Sequence, residues 1–171
     1  PIDCLPNSLE SLYMRSSAFS HDINHLPTSL IFLTLDLSNM TKSINCFNKL
    51  NNLKTLVLKK MHCDNSIDFP KNLLHLNLSC SCNHDINNLP NSLKKLTISH
   101  QSFNNSLDSL PNSLEELRIT SSAFLQNLDN LPISLKILVI NCDNFSHKID
   151  NLPHNLTKIS ILSKKFNSTI D

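Results

Sequence analysis

Glycine is absent from all 171 residues, tryptophan is absent too, and tyrosine occurs once. The dinucleotide-binding G-x-G-x-x-G turn, the Walker loop and the G-x-S-x-G nucleophile elbow all need a residue without a Cβ where backbone bends sharply or approaches a phosphate. Those chemistries are excluded. Turns that would place glycine at positive φ must use another residue. The 24 asparagines are the expected substitute, since Asn tolerates the left-handed region.

Charge of one sign is also scarce. The formal net charge is +1 and no Lys/Arg run exceeds two residues, so there is no electrostatic footprint for nucleic acid. No apolar run approaches the ~20 residues of a membrane span, and the N-terminus has no charged segment leading into an apolar one. The chain reads as soluble, with neither nucleic acid nor membrane as a partner. The cysteines Cys4, Cys46, Cys63, Cys80, Cys82 and Cys142 show no regular pairing pattern; free thiols and a cytoplasmic setting are expected. Six N-x-S/T sequons, at Asn39, Asn77, Asn104, Asn144, Asn155 and Asn167, follow from a composition rich in Asn, Ser and Thr and do not establish secretion.

What is present is a repeat. Leu26-Pro27-Thr28-Ser29-Leu30, Leu89-Pro90-Asn91-Ser92-Leu93 and Leu110-Pro111-Asn112-Ser113-Leu114 each open one motif, L-P-x-S-L-x-x-L-x-I, with small departures. Its anchor leucines, Leu9, Leu30, Leu53, Leu73, Leu93, Leu114, Leu135 and Leu156, are spaced by 21, 23, 20, 20, 21, 21 and 21 residues. A fixed period in this range with L-x-x-L-x-L is the signature of a leucine-rich repeat solenoid. The fold expected is mainly β: one parallel sheet, about eight coils of ~21 residues, and little or no α-helix. Alternation places strands near 10–14, 31–35, 54–58, 74–78, 94–98, 115–119, 136–140 and 157–161, with equal offsets ~4.8 Å apart in neighbouring coils.

Three more apolar columns close each coil. One holds Phe19, Met40, Cys63, Phe103, Phe124, Phe145 and Phe166; a second holds Ile23, Ile44, Ile67, Ile86, Leu107, Leu128, Ile149 and Ile170. The third is Leu26, Phe69, Leu89, Leu110, Leu131 and Leu152, beside a proline that fixes φ and makes the return side irregular rather than helical. This strict periodicity argues against disorder despite the Asn and Ser content. Polar ladders accompany the columns, an Asp or Asn at Asn24, Asn45, Asp68, Asn87, Asp108, Asp129, Asp150 and Asp171, and a Ser or Asn before each anchor leucine. Both are expected to cap turn N–H groups; a calcium-binding β-roll would need glycine-rich turns. The coil between Ile44 and Leu53 is longer, has Leu50 in the proline position, and is expected to bulge.

The stretch Phe103-Asn104-Asn105-Ser106-Leu107-Asp108-Ser109-Leu110-Pro111-Asn112-Ser113-Leu114, with Phe166-Asn167-Ser168-Thr169-Ile170 opening a further copy, resembles the FNIP repeat. That is a short leucine-rich repeat of social amoebae and large amoeba-infecting DNA viruses. The resemblance covers essentially the whole chain, with departures in copies two to four at Met40, Cys63 and a shortened turn at Asn83. It implies an array without catalytic residues. Because such arrays are often joined to an F-box, it further implies a substrate receptor of a ubiquitin ligase.

Two constellations bear on chemistry. His62, Cys63, Cys80, Cys82, His84 and His100 fall on adjacent coils, and thiolates and imidazoles are zinc ligands. Their spacing matches no C-x-x-C pair, and Cys63 stands in the column that elsewhere holds Phe, so small buried hydrophobes are the preferred reading and no metal or cofactor is expected. Ser, His and Asp are numerous enough to form triads by chance. Without a cleft to preorganise them, no enzymatic activity is expected.

The outward sheet positions are the better candidates. Tyr13, Phe32, Val57, Ile137 and Val139 have no core to fill in this register and suggest contacts. His75, Asn77, Lys95, Glu116 and Arg118 complete the candidate binding face, His75 being either a pH-sensitive contact or a solvated bystander. Lys94, Glu115 and Lys136 form a lateral row that reads as cross-strand pairing at ~0.2–1 kcal/mol each; Glu116 and Arg118 stay open between pairing and recognition. The expected function is protein–protein interaction on this face, with a structural, end-to-end stacking scaffold as the alternative. The chain opens at Pro1 and closes at Ile170-Asp171 in mid-repeat. Residues 1–171 are therefore read as a single array, either an excerpt of a longer one or one whose apolar ends pair with another copy.

Overall fold

The computed structural model describes residues 2, 4–38, 46–61, 67–80 and 86–167. Eight strands follow in order: β1 (Ser11–Ser16), β2 (Phe32–Leu37), β3 (Thr55–Lys59), β4 (His75–Ser79), β5 (Lys95–Ser99), β6 (Glu116–Thr120), β7 (Ile137–Asn141) and β8 (Lys158–Leu162). Each pairs in parallel with the next, giving one sheet in chain order. The register is the one the repeat requires: Leu12, Leu33, Leu56, Leu76, Leu96, Leu117, Leu138 and Ile159 stand side by side. The architecture is a leucine-rich repeat solenoid.

Every strand begins one residue later than the alternation predicts, for a reason visible in the backbone. The residue before the strand is a corner whose carbonyl accepts two consecutive N–H groups from the next coil, as Glu10 does from Ile31 and Phe32 at 2.8 and 3.0 Å, and Glu115 from Lys136 and Ile137 at 2.9 and 3.1 Å. Ahead of the corner lies a tight turn. The N–H of each anchor leucine donates to the carbonyl three residues earlier, from Leu9 to Pro6, Leu30 to Pro27 and Leu114 to Pro111 at 3.0, 3.2 and 3.0 Å. Leu53 makes the same bond to Leu50 at 3.0 Å. The turn therefore survives the loss of proline, which presets φ but is not the acceptor's essential chemistry.

The expectation that asparagine stands in for glycine at positive φ is not met among the described residues. Among the described residues only Lys60 has positive φ, at 56°. The described turns take ordinary backbone geometry, so no left-handed substitute is needed in them, and the polar ladders act elsewhere. Many of their side chains bond to the neighbouring coil. Ser29, Ser113 and Ser134 donate through their hydroxyls to Leu9, Leu93 and Leu114 carbonyls of the preceding coil at 2.7, 2.7 and 2.6 Å. Asn52, Asn72 and Asn155 donate through their amides to Thr28, Asn51 and Ile133 carbonyls at 3.1, 3.1 and 2.9 Å. Carbonyls at the turn corners have no strand partner, and a donor one coil away at strand spacing satisfies them. In the Asp/Asn ladder, Asp108 and Asp129 accept from Asn130 and Asn151 of the next coil at 2.8 and 3.2 Å. Turn N–H groups are capped from two residues upstream: Asp22 accepts from the Asn24 N–H at 2.9 Å, and Ser106 from the Asp108 N–H at 3.2 Å.

The interior follows the predicted columns. Ile23, Ile67, Ile86, Leu107, Leu128 and Ile149 are buried, as are Leu26, Leu89, Leu110 and Leu131. Phe103, Phe124, Phe145 and Phe166 stack with centroids 6.0, 6.1 and 6.1 Å apart. Met40, Cys63, Ile44, Asn45, Ile170 and Asp171 lie outside the described residues. In the long coil, a 3-10 turn at Phe47–Lys49 folds Cys46, Phe47 and Leu50 into the core. The expected bulge is thus an inward-facing turn. Burial pushes the Cys46 thiol up to about 11.

Phe124→Ala should lower stability in urea by about 3–5 kcal/mol, because it empties a column flanked by rings on both sides. Phe166→Ala, at a half-buried position, should cost distinctly less; equal losses would contradict the stack. Brief alkylation at pH 8 followed by peptide mass mapping should modify the exposed Cys4 and spare Cys46; early modification of Cys46 would show that the 3-10 turn is open.

Candidate binding face

Strand residues alternate between core and surface, so the outward side chains form three rows across the sheet. The first runs through Ser11, Phe32, Thr55, His75, Lys95, Glu116, Ile137 and Lys158; the second through Tyr13, Thr34, Val57, Asn77, Thr97, Arg118, Val139 and Ser160. All ten candidate residues occupy these two rows. They are not equally available. Tyr13 and Phe32 are 61% and 52% exposed, whereas Val57, Ile137 and Val139 are half-buried between their strand neighbours. His75 is exposed, with Nδ1 3.4 Å from the Thr55 hydroxyl. The half-buried Asn77 accepts from the Ser79 hydroxyl at 2.7 Å.

The middle of the face is a paired charge cluster. Glu116 sits between Lys95, whose Nζ is 3.4 Å away on β5, and Arg118, whose Nε donates to it from the same strand. Partial burial pushes the Glu116 carboxyl up, but hydrogen bonds from Arg118 and Lys95 and their charges outweigh it and hold the group below the usual range. At the sheet margin Glu115 accepts from Lys136 and Lys94 at 2.8 and 3.0 Å. Those two bonds, with both cationic charges, bring its carboxyl down to about 2. Cross-strand pairing is therefore present in both rows; nothing in it prevents Arg118 from turning to a partner.

The third row was missed because the predicted strands stop one residue short. It starts Arg15, Asp36, Lys59 and Ser79. A signal was in the chain at one strand: Leu35-Asp36-Leu37 continues the alternation past the expected end. Arg15 Nε lies 3.6 Å from Asp36 Oδ2, and Asp36 is one of the two buried polar residues among those described. Together with Ser16, Ser17, Ser38 and Lys60 they line a cleft of about 460 Å³ at the C-terminal ends of β1 to β3. A second hollow of about 360 Å³, lined by Glu10, Ser29, Ile31, Asn52 and Lys54, lies at the N-terminal ends of the same strands. Tyr13 and Phe32 stand between the two.

Of the sequence's His/Cys cluster, His62, Cys63, Cys82 and His84 lie outside the described residues, while Cys80 is buried and His100 Nδ1 is buried without a hydrogen bond. Among the described residues no group of three or more His, Cys, Asp or Glu is placed to hold a metal ion, and no helix is long and apolar enough to cross a membrane.

The FNIP Repeat family model matches residues 64–101 and again 85–122, two windows offset by one coil. Residues 64–122 thus match FNIP repeats. A giant-virus protein, CroV588, whose crystal structure is described as a novel circular LRR protein structure, is similar over 98% of this chain with 27% identity and a TM-score of 0.53. This chain spans 32% of that protein. No curated protein matches the chain. The matched FNIP windows hold the Lys94, Glu115, Lys95, Glu116 and Arg118 cluster, whereas Tyr13, Phe32 and the Arg15 cleft belong to coils that precede them.

Glu115 gives a pH test of the cluster. Its carboxyl is depressed in the folded state, so its stabilising contribution is complete above the ordinary value of 4.5 and is lost as the pH falls through about 2. An NMR titration should find the midpoint near 2 in the parent protein and moving toward 4.5 when Lys94 and Lys136 are both changed to Ala. A midpoint already at 4.5 in the parent would mean that the pairs do not form.

Proposed function

We propose that this FNIP array is a protein-interaction module, without catalytic activity, that holds its partner on the outward face of the sheet. The exposed pair Tyr13 and Phe32 carries the reading. Aromatic side chains and arginine are enriched in the cores of protein interfaces. Here they are mounted on a parallel ladder that fixes their spacing and lowers the ordering cost of binding. The leucine-rich repeat architecture agrees with this role, because a solenoid presents one extended surface. The finer reading, substrate recognition for an F-box-type ubiquitin ligase receptor, rests on the family resemblance alone; co-purification of ligase subunits with the protein tests it.

A second reading, a self-assembling scaffold, is favoured by the similarity to a circular repeat protein. The two readings separate cleanly. Peptides selected from a random display library on the array should lose affinity about tenfold or more on Phe32→Ala or Arg118→Ala, and none on Ile133→Ala, an exposed apolar side chain outside the strands. Selected peptides indifferent to both sheet-face changes would overturn the proposal. A scaffold would instead show concentration-dependent assembly by light scattering that Phe32→Ala leaves intact.

A further inference from the structure

The cleft beside Tyr13 and Phe32 has a chemistry that the sheet-face reading does not use. Its cations outnumber its carboxylates: Arg15 and Lys60 face one acid, Asp36. A guanidinium carries five N–H donors. Arg15 meets Asp36 through Nε at 3.6 Å with its side chain 68% exposed, and among the described residues its terminal amino groups have no other partner. Asp36 is therefore placed to orient the guanidinium rather than to consume it.

Lys60 supplies the independent observation. At its offset Leu37, Cys80, Ser121 and Cys142 are buried, while Ser16, His100 and Ser163 are half-buried. A lysine cannot fill that position unpaired. The backbone at Lys60 turns into the left-handed region at φ 56°, the side chain is exposed, and Met61 takes the core position at 0% exposure. The left-handed region is unfavourable for a residue that carries a Cβ. Strain of this kind concentrates at binding sites. Here it delivers an ammonium to the cleft where Arg15 already stands.

Spacing then selects the ligand. Along a strand, residues two apart stand ~6.6–6.8 Å from each other on one face. Arg15 is two residues beyond Tyr13, and Asp36 is four beyond Phe32 in the neighbouring strand. An extended peptide lying along β1 and β2 has the same period, so an aromatic or aliphatic side chain over Tyr13 and Phe32 brings its second neighbour over the cleft. We infer that this corner of the face binds an extended peptide bearing an apolar residue followed two positions later by Asp or Glu, the carboxylate being held between Arg15 and Lys60. The inference rests on the sheet-face reading and names the partner's chemistry. The overall charge of +1 favours a single carboxylate over a polyanion.

Tyr13 is the chain's only tyrosine and there is no tryptophan, so the site reports on itself. Three octapeptides with Phe-Thr-Glu, Phe-Thr-Gln or Phe-Thr-Lys cores, free of Tyr and Trp, are titrated while Tyr13 fluorescence is followed. The Glu peptide should bind about tenfold tighter than the Gln peptide, as one charge-assisted contact provides, and the Lys peptide weakest. Arg15→Ala combined with Lys60→Asn, which tolerates the left-handed turn, should erase that preference; Phe32→Ala should weaken all three equally. Binding that alters Tyr13 but ignores charge overturns this inference and leaves the sheet-face reading standing. Silence of all three at millimolar concentration overturns it as well, and the library selection then decides whether the face binds anything. An oligothymidylate that binds with the same Arg15 and Lys60 dependence overturns it in favour of nucleic acid.

Discussion

Stacking of equal offsets at strand spacing is the constraint on which everything else hangs. Once Leu12, Leu33, Leu56 and their successors are neighbours in a parallel ladder, each other position in the coil must also tolerate a copy of itself one strand away. Apolar positions meet that demand by forming columns, as the Phe103, Phe124, Phe145 and Phe166 rings do. Polar positions meet it by donating across the gap. That explains why Ser and Asn recur at one offset: a short side chain with a donor reaches the preceding coil's carbonyl, which the strand ladder leaves unpaired.

Charges obey the same rule with one addition. Repeating one sign at one offset would place like charges opposite each other, which is destabilising. The lateral row alternates instead, with Glu115 between Lys94 and Lys136, and the next row sets Glu116 beside Lys95. The outward face in this part of the array is electrostatically settled. Around β1 to β3 it is not: aromatic side chains stand in water, Arg15 is held by one contact, and Lys60 sits on strained backbone. The contrast between a settled centre and an unsettled corner is the physical case for locating recognition in the early coils.

Much of this was legible in the chain, and the failures have specific causes. Period and alternation identify the coils, the order of the strands and the inward leucines, because side-chain direction in a strand is a strict period-two property. The same alternation assigned Tyr13, Phe32 and the other candidates to the outward rows. It missed the third row, since the corner carbonyl that accepts two N–H groups moves the strand by one residue, and only Leu35-Asp36-Leu37 carries the alternation past the expected end. It also gave the wrong partners to Ser29, Asn52 and Asp108, because a local cap and a cross-coil bond need the same residue types.

Sequence alone was sufficient to determine the repeat, the parallel sheet and which side chains enter the core, for these follow from spacing along one chain. Tertiary structure decided exposure and proximity. Whether Val57 is covered while Phe32 stands free, whether Arg15 meets Asp36, and whether Lys60 turns outward so that Met61 can enter depend on distances between coils. Those distances are set by packing, turn length and the backbone angles at single residues, and a linear pattern encodes none of them.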